Sequence, residues 1–109
     1  ADQKKLSQEQ VIYEKAFELF VISEDKNFEA IIRVVSNLTL IYEDIGYVKK
    51  LEAAYKLIID LISNNYSAND SNLIHWLEKY AVFLRKQKRN NEASKVELRA
   101  KRIKQLNQP

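Results

Sequence analysis

Apolar residues recur along this chain at intervals of three and four, and almost nowhere alternate. Ile12, Ala16, Leu19 and Phe20 fall on one helical face with Tyr13 and Phe17 beside them, and Ser7 followed by Gln10 resembles a capping box just upstream. That spacing predicts a helix over 7–22. The polar run Ser23-Glu24-Asp25-Lys26-Asn27 ends it, and Phe28, Ile31, Ile32, Val35, Leu38, Tyr42 and Ile45 mark a second stripe, predicting a helix over 29–44. Gly46 then supplies a residue able to take positive φ just past a helix end. Val48, Leu51, Ala54, Tyr55, Ile58 and Leu61 resume the period at once, so a tight helical hairpin leads into a third helix over 48–63. A longer polar loop follows, and a fourth helix over 70–87 carries Leu73, Trp76, Leu77, Tyr80, Ala81 and Leu84, with Asp70 or Asn69 as its N-cap. Asn90 is read as the cap of a fifth helix over 91–106. Its stripe of Ala93, Val96, Ala100 and Ile103 is narrow and set in charge, as expected of an end helix covered on one side only.

The stripes echo one another. A shift of 42 residues pairs Leu38 with Tyr80, Tyr42 with Leu84, Gly46 with Lys88, Leu51 with Ala93 and Ile58 with Ala100. Moving backwards, Tyr55, Ile58, Ile59 and Leu61 land on Tyr13, Ala16, Phe17 and Leu19. The first helix is therefore the second half of an incomplete repeat. The alanines at 93 and 100 predict close approach of the last helix to its partner around Tyr80, Ala81 and Leu84.

Composition narrows the picture. At 109 residues the chain has the size of one domain. It contains one glycine, Gly46, and one proline, Pro109 at the very end, so the turns an all-β chain would need every eight to twelve residues are missing. The absence of cysteine excludes disulfides, thiolate metal sites and a cysteine nucleophile, and leaves the redox compartment unread. Cytoplasmic and exported, periplasmic chains would look alike here. No run of about 18 apolar residues is present to span a bilayer. The chain opens on Ala1-Asp2-Gln3, without methionine, which predicts further sequence upstream.

Val35, Leu38, Thr39 and Tyr42, a large residue followed by leucine, a small residue and tyrosine at helical spacing, resemble the motif of the tetratricopeptide repeat (TPR) family. Leu77, Tyr80, Ala81 and Leu84 follow it more loosely. Leu51 with Tyr55, and Ala93 with Glu97, stand where the family places alanine and a bulky residue. Both pairs depart from that pattern. The 42-residue period is similar to the long, kinesin-light-chain-like variety rather than the usual period of about 34. The resemblance implies an all-α, right-handed array of antiparallel helical hairpins, about five helices in a single TPR-like domain over 1–109, belonging to a longer chain.

It also implies a function: a non-catalytic scaffold that receives a peptide or partner helix in a concave groove lined by the first helix of each hairpin. On the second helix the implied groove residues are Arg33, Ser36, Leu40, Glu43 and Asp44, and on the fourth they are His75, Glu78, Val82, Arg85 and Lys86. Some family members grip a terminal carboxylate with lysine and asparagine at such positions. Here those places hold Ser36 with Leu40 and Glu78 with Val82, which fits a mixed apolar and polar partner surface better.

Other chemistry is sparse. Residues 85–104 hold nine cations against Glu92 and Glu97, so the chain, at net charge +3, is electrically lopsided. A nucleic-acid adaptor using this basic helix is the first alternative function, but no aromatic stacking platform lies beyond residue 84. A plain helical bundle for assembly is the second, and oligomerisation stays open. His75 is the only histidine, which leaves a transition-metal site without enough nitrogen or sulfur ligands. Neither a Gly-x-Ser-x-Gly elbow nor a glycine-rich phosphate loop is present, so no catalytic machinery and no cofactor are expected.

Overall fold

The computed structural model describes residues 3–22 and 27–108, with side chains described over 8–19 and 27–108. Among these residues the chain is helical throughout, with no strand: α1 spans Gln3–Ile22, α2 Phe28–Ile45, α3 Val48–Asn65, α4 Leu73–Lys86 and α5 Asn90–Leu106. It divides into two compact units, Ala1–Ala54 and Tyr55–Pro109, with the boundary inside α3.

Local chemistry explains where the helices begin. Asn27 has extended backbone angles and its Oδ1 accepts the Ala30 N–H at 3.1 Å, with Glu29 in the first turn facing the positive helix end. At α4 the Asp70 carboxylate accepts the Asn72 N–H at 2.8 Å, forming a turn that delivers the chain to a helix starting at Leu73, three residues later than the periodicity predicts. Two expected caps are not formed. Ser7 lies inside α1, which starts at Gln3, so the capping-box reading fails. Asn90 is already the first helical residue of α5, and its Oδ1 accepts from Arg85 at 3.4 Å.

The α2–α3 and α4–α5 connections are the same turn, built 42 residues apart. Gly46 closes α2 at φ 72°, and the next N–H, of Tyr47, donates back to the Tyr42 carbonyl at 2.9 Å. Lys88 closes the α4–α5 turn at φ 61°, and the Arg89 N–H donates back to Leu84 at 2.9 Å. Each is a left-handed helix stop that satisfies the last carbonyls and turns the chain sharply.

In the N-terminal unit, α2 buries Ile31, Val35, Leu38, Thr39, Ile41 and Tyr42. Thr39, a buried polar residue, directs its hydroxyl to the Ser36 carbonyl at 2.6 Å, so its burial leaves no unmet hydrogen bond. α1 packs on α2, but through a different arc from the one its periodicity suggests. Tyr13, Ala16 and Phe17 are half-buried, whereas Ile12 and Leu19 are 65% and 56% exposed; the Phe20 side chain lies outside the described residues. The apolar residues of α1 cover too wide an arc for spacing to select its flank, and the larger aromatics take the contact.

The C-terminal unit is organised around Tyr55, whose ring meets Phe83, Tyr80 and Trp76 at centroid distances of 5.9, 6.0 and 6.4 Å. Edge and tilted geometries of this kind add to the area these rings bury. α5 seals the unit with Ala93, Ala100 and Ile103 buried. The two alanines let α5 lie close against α4, where Leu77, Ala81 and Leu84 are buried. Arg99 reaches Ser63 Oγ at 2.9 Å and the Ala68 carbonyl at 3.4 Å, and Asn107 donates to the Asn69 carbonyl at 3.1 Å, so α5 also pins the loop before α4.

Two substitutions test this packing by thermal or urea unfolding. Ala93→Leu forces extra methylenes into a site with no exposed surface and is expected to cost about 1–3 kcal/mol. Lys88→Gly removes the strain of a left-handed L-residue and is expected to stabilise by about 1 kcal/mol. Unchanged stability of Ala93→Leu would contradict the close helix seam.

Candidate partner-binding surfaces

The ten groove residues implied by the resemblance divide between the units, five on α2 and five on α4. On α2, Arg33, Leu40, Glu43 and Asp44 are exposed. Ser36 is not available in the same way, because it is half-buried and its hydroxyl donates to the Ile32 carbonyl at 2.6 Å. Leu40 and Asp44 line a cleft of about 160 Å³ together with Glu9, Tyr13, Asn37 and Ile41. Its walls are therefore α1 and α2, with apolar surface from Tyr13, Leu40 and Ile41 and carboxylates from Glu9 and Asp44. Neither carboxylate has an ion-pair partner among the described residues. The sequence reading found Leu40 and Asp44 but missed Glu9, Asn37 and the ring of Tyr13. The helical period locates a face, whereas a cleft depends on how two helices meet.

What holds this cleft together is one carboxylate. Glu14 Oε2, on α1, accepts the Tyr42 hydroxyl from α2 at 2.5 Å and the Lys50 ammonium from α3 at 2.8 Å. Lys50 in turn lies 5.0 Å from the Tyr47 ring centroid and 5.8 Å from that of Tyr42, a second attraction for the same cation. Partial burial works to raise the Glu14 pKa, but the hydrogen bonds from Lys50 and Tyr42 outweigh it and hold the carboxyl below its usual range. The same contacts act in reverse on the partners. Burial, then Glu14, pushes the Tyr42 phenol up, and the bond to Glu14 raises Lys50.

On α4, His75, Glu78, Val82, Arg85 and Lys86 are exposed, but two of the charges are already engaged. Arg85 grips Glu97 of α5 with both arms, Nε to Oε2 at 3.0 Å and Nη2 to Oε1 at 2.5 Å, and also touches Ser94 at 3.3 Å. Its hydrogen bond lowers the Glu97 pKa. Glu78 pairs with Lys104 at 3.2 Å. Arg85 and Glu78 thus latch α4 to α5, and a partner would meet them as pairs. His75 rests edge-on against Trp76 at 4.9 Å between centroids, and Lys79 stands 6.0 Å over the same indole. Val82 has no such partner chemistry. It is 55% exposed, the same value as Leu40, which occupies the equivalent place 42 residues earlier.

α5 presents a further surface. Lys95, Leu98, Lys101 and Arg102 are exposed along its outward side, and none of the three cations has an ion-pair partner among the described residues. The 42-residue echo explains part of this bareness: Ile59, buried in α3, corresponds to the exposed Lys101 in α5. Apolar contacts that an inner helix makes are replaced by lysine where the chain needs a solvated face. Arg89 is drawn away from this set by its ion pair with Glu92.

Among the described residues no group of three or more His, Asp or Glu side chains could hold a metal ion, and no helix is long and apolar enough to cross a membrane. Compared with known proteins, the chain matches no family model, no curated protein and no solved structure. The chemistry that the surfaces offer is burial of isolated aliphatic side chains flanked by charge.

The Glu14 tie makes the α1–α2 cleft sensitive to acid. A carboxyl whose folded pKa is depressed contributes stability above its unfolded pKa, and that contribution is lost as pH falls through the folded value. Glu14→Ala is expected to cost about 1–3 kcal/mol at neutral pH, and the gap to wild type should close as melts are repeated toward pH 3, below the ordinary carboxylate range. A gap that stays constant with pH would contradict this role for Glu14.

Proposed function

We propose that the chain is a non-catalytic, TPR-like interaction module that binds a protein partner through the exposed faces of α2 and α4. The observation that carries this reading is the matched pair Leu40 and Val82. Each is an aliphatic side chain more than half exposed on an otherwise polar face, and the two occupy equivalent positions in a 42-residue repeat. The identical left-handed turns at Gly46 and Lys88 support the repeat independently, because they are backbone features that side-chain pattern alone does not dictate. Isolated exposed aliphatics are ordinary. Their recurrence at the same register, each flanked by charge, is what favours recognition.

The flanks differ in sign. Glu43 and Asp44 follow Leu40, whereas Val82 is followed by Arg85, already paired with Glu97, and by the exposed Lys86, so the two faces differ in the charge they present. This arrangement suits a mixed apolar and polar protein segment better than a polyanion. The basic α5 surface offers cations but no aromatic platform for bases.

Affinity capture with the wild-type chain, followed by the same capture with Leu40→Asp and with Val82→Asp, tests the reading. Each substitution places a charge on a surface position and should leave folding within about 0.5 kcal/mol while removing at least one partner reproducibly. A partner set untouched by both variants would sink the proposal. Titrating salt against the purified partner separates the nucleic-acid alternative, since phosphate neutralisation imposes a steep loss of affinity with ionic strength.

A further inference from the structure

The two units carry opposite charge. Residues 1–54 hold seven Lys and Arg against ten Asp and Glu, whereas residues 55–109 hold eleven against five. Within each unit most of the engaged charges are spoken for locally: Glu14 by Lys50, Glu97 by Arg85, Glu78 by Lys104. Two groups among the charges left without an ion pair in the described residues sit beside exposed apolar side chains. The α1–α2 cleft keeps two carboxylates, Glu9 and Asp44, beside the apolar walls of Tyr13 and Leu40. The outward side of α5 keeps Lys95, Lys101 and Arg102 around the exposed Leu98. One surface is acidic and concave, and the other is basic, convex and helical.

From this complementarity we infer that the cleft between α1 and α2 receives the outward side of α5 from a second copy of the chain. The stems of Lys101 and Arg102 cover Tyr13 and Leu40 while their cations meet Glu9 and Asp44, which long basic side chains do readily because their methylenes are apolar and their heads are not. Leu98 supplies apolar contact of the helix-in-groove kind. Charge decides the pairing. Cleft against cleft would bring carboxylate to carboxylate, and α5 against α5 would bring lysine to lysine, so the contact joins the unlike patches of two copies. A single such contact leaves one acidic cleft and one basic helix free at the ends, and chains of copies grow with concentration unless the rotation closes a ring. This inference names one partner for the α2 side of the proposed interaction module and rests on that reading only for Leu40.

The test uses two neutralised variants of the full chain. Glu9→Gln with Asp44→Asn removes the acidic cleft but leaves α5 intact, and Lys101→Gln with Arg102→Gln does the converse. All four positions are exposed or half-exposed, and matching circular dichroism melts establish that both variants are folded. In sedimentation equilibrium at low ionic strength the wild type is expected to exceed monomer mass increasingly with concentration. High salt should return it to monomer, because exposed charges are screened beyond about one Debye length, ~10 Å at 0.1 M. Each variant alone is expected to stay at monomer mass. Their equimolar mixture is expected to reach twice that mass and stop, since only one productive contact can form between them.

A wild type that remains monomeric up to millimolar concentration overturns the inference, as does a mixture that fails to associate or a variant that still associates alone. Val82→Asp lies on neither proposed contact and should self-associate like wild type while losing captured partners. A monomeric wild type whose captured partners are lost on Leu40→Asp would retain the interaction module and sink the self-association alone.

Discussion

Two backbone reversals, each closed by an N–H reaching back five residues to a carbonyl, set the register on which the helices depend. Where Tyr47 bonds to Tyr42 and Arg89 bonds to Leu84, the preceding residue must enter the left-handed region. That geometry forces the next helix to fold back immediately, so the face of α2 or α4 that meets its successor is fixed within a residue. Gly46 occupies the position without a steric penalty, having no Cβ, and open space surrounds the place one would fill. Lys88 holds the same conformation with a side chain. The turn is therefore maintained at the second site by the packing around it, chiefly the alanine seam between α4 and α5.

Charge is sorted by the fold rather than merely displayed. Arg85, Arg99 and Lys104 bind inward to Glu97, Ser63 and Glu78, fastening α5 to its unit. Lys95, Lys101 and Arg102, on α5 as well, are exposed and have no ion-pair partner among the described residues. In the N-terminal unit Glu14 is consumed by Tyr42 and Lys50, while Glu9, more than one turn earlier on α1, is left at the mouth of the cleft. The exposed pairs Arg85–Glu97 and Lys104–Glu78 contribute little stability each. Their consequence is to decide which charges are left for a partner.

Much of the organisation could be read from residue spacing. Most of the stripes of α2, α3 and α4, the turn at Gly46 and the burial of Ala93 and Ala100 follow from a helical period interrupted by one glycine, but Ile45 and Val48, at the stripe ends beside that turn, are exposed, and Ile41, Ile59, Ile62 and Phe83 are buried outside the predicted stripes. Spacing failed on α1, where a wide apolar arc allowed more than one docking flank, and at Ser7 and Asn90, where capping residues lie inside helices instead of ahead of them. It also credited Arg85 and Glu78 to an open surface, because a charge on a solvent-facing position looks identical in sequence whether or not a neighbour from another helix neutralises it. The narrow apolar stripe of α5, set in charge, did mark it as a helix covered on one side only, and Ala93, Ala100 and Ile103 are its buried residues.

The amino-acid sequence by itself determined that this protein is helical, how long its helices run to within a few residues, and most of the positions along α2 to α5 that leave water. Those properties depend on local propensity, on a 3.6-residue period and on the scarcity of chain-breaking residues, all of which act within one or two turns. Only the tertiary structure decided which flank of α1 is covered, that Glu9 and Asp44 share a cleft, and which cations of α5 stay unpaired. Each of these is set by distances between side chains far apart in the chain, and periodicity carries no information about the azimuth at which two helices meet.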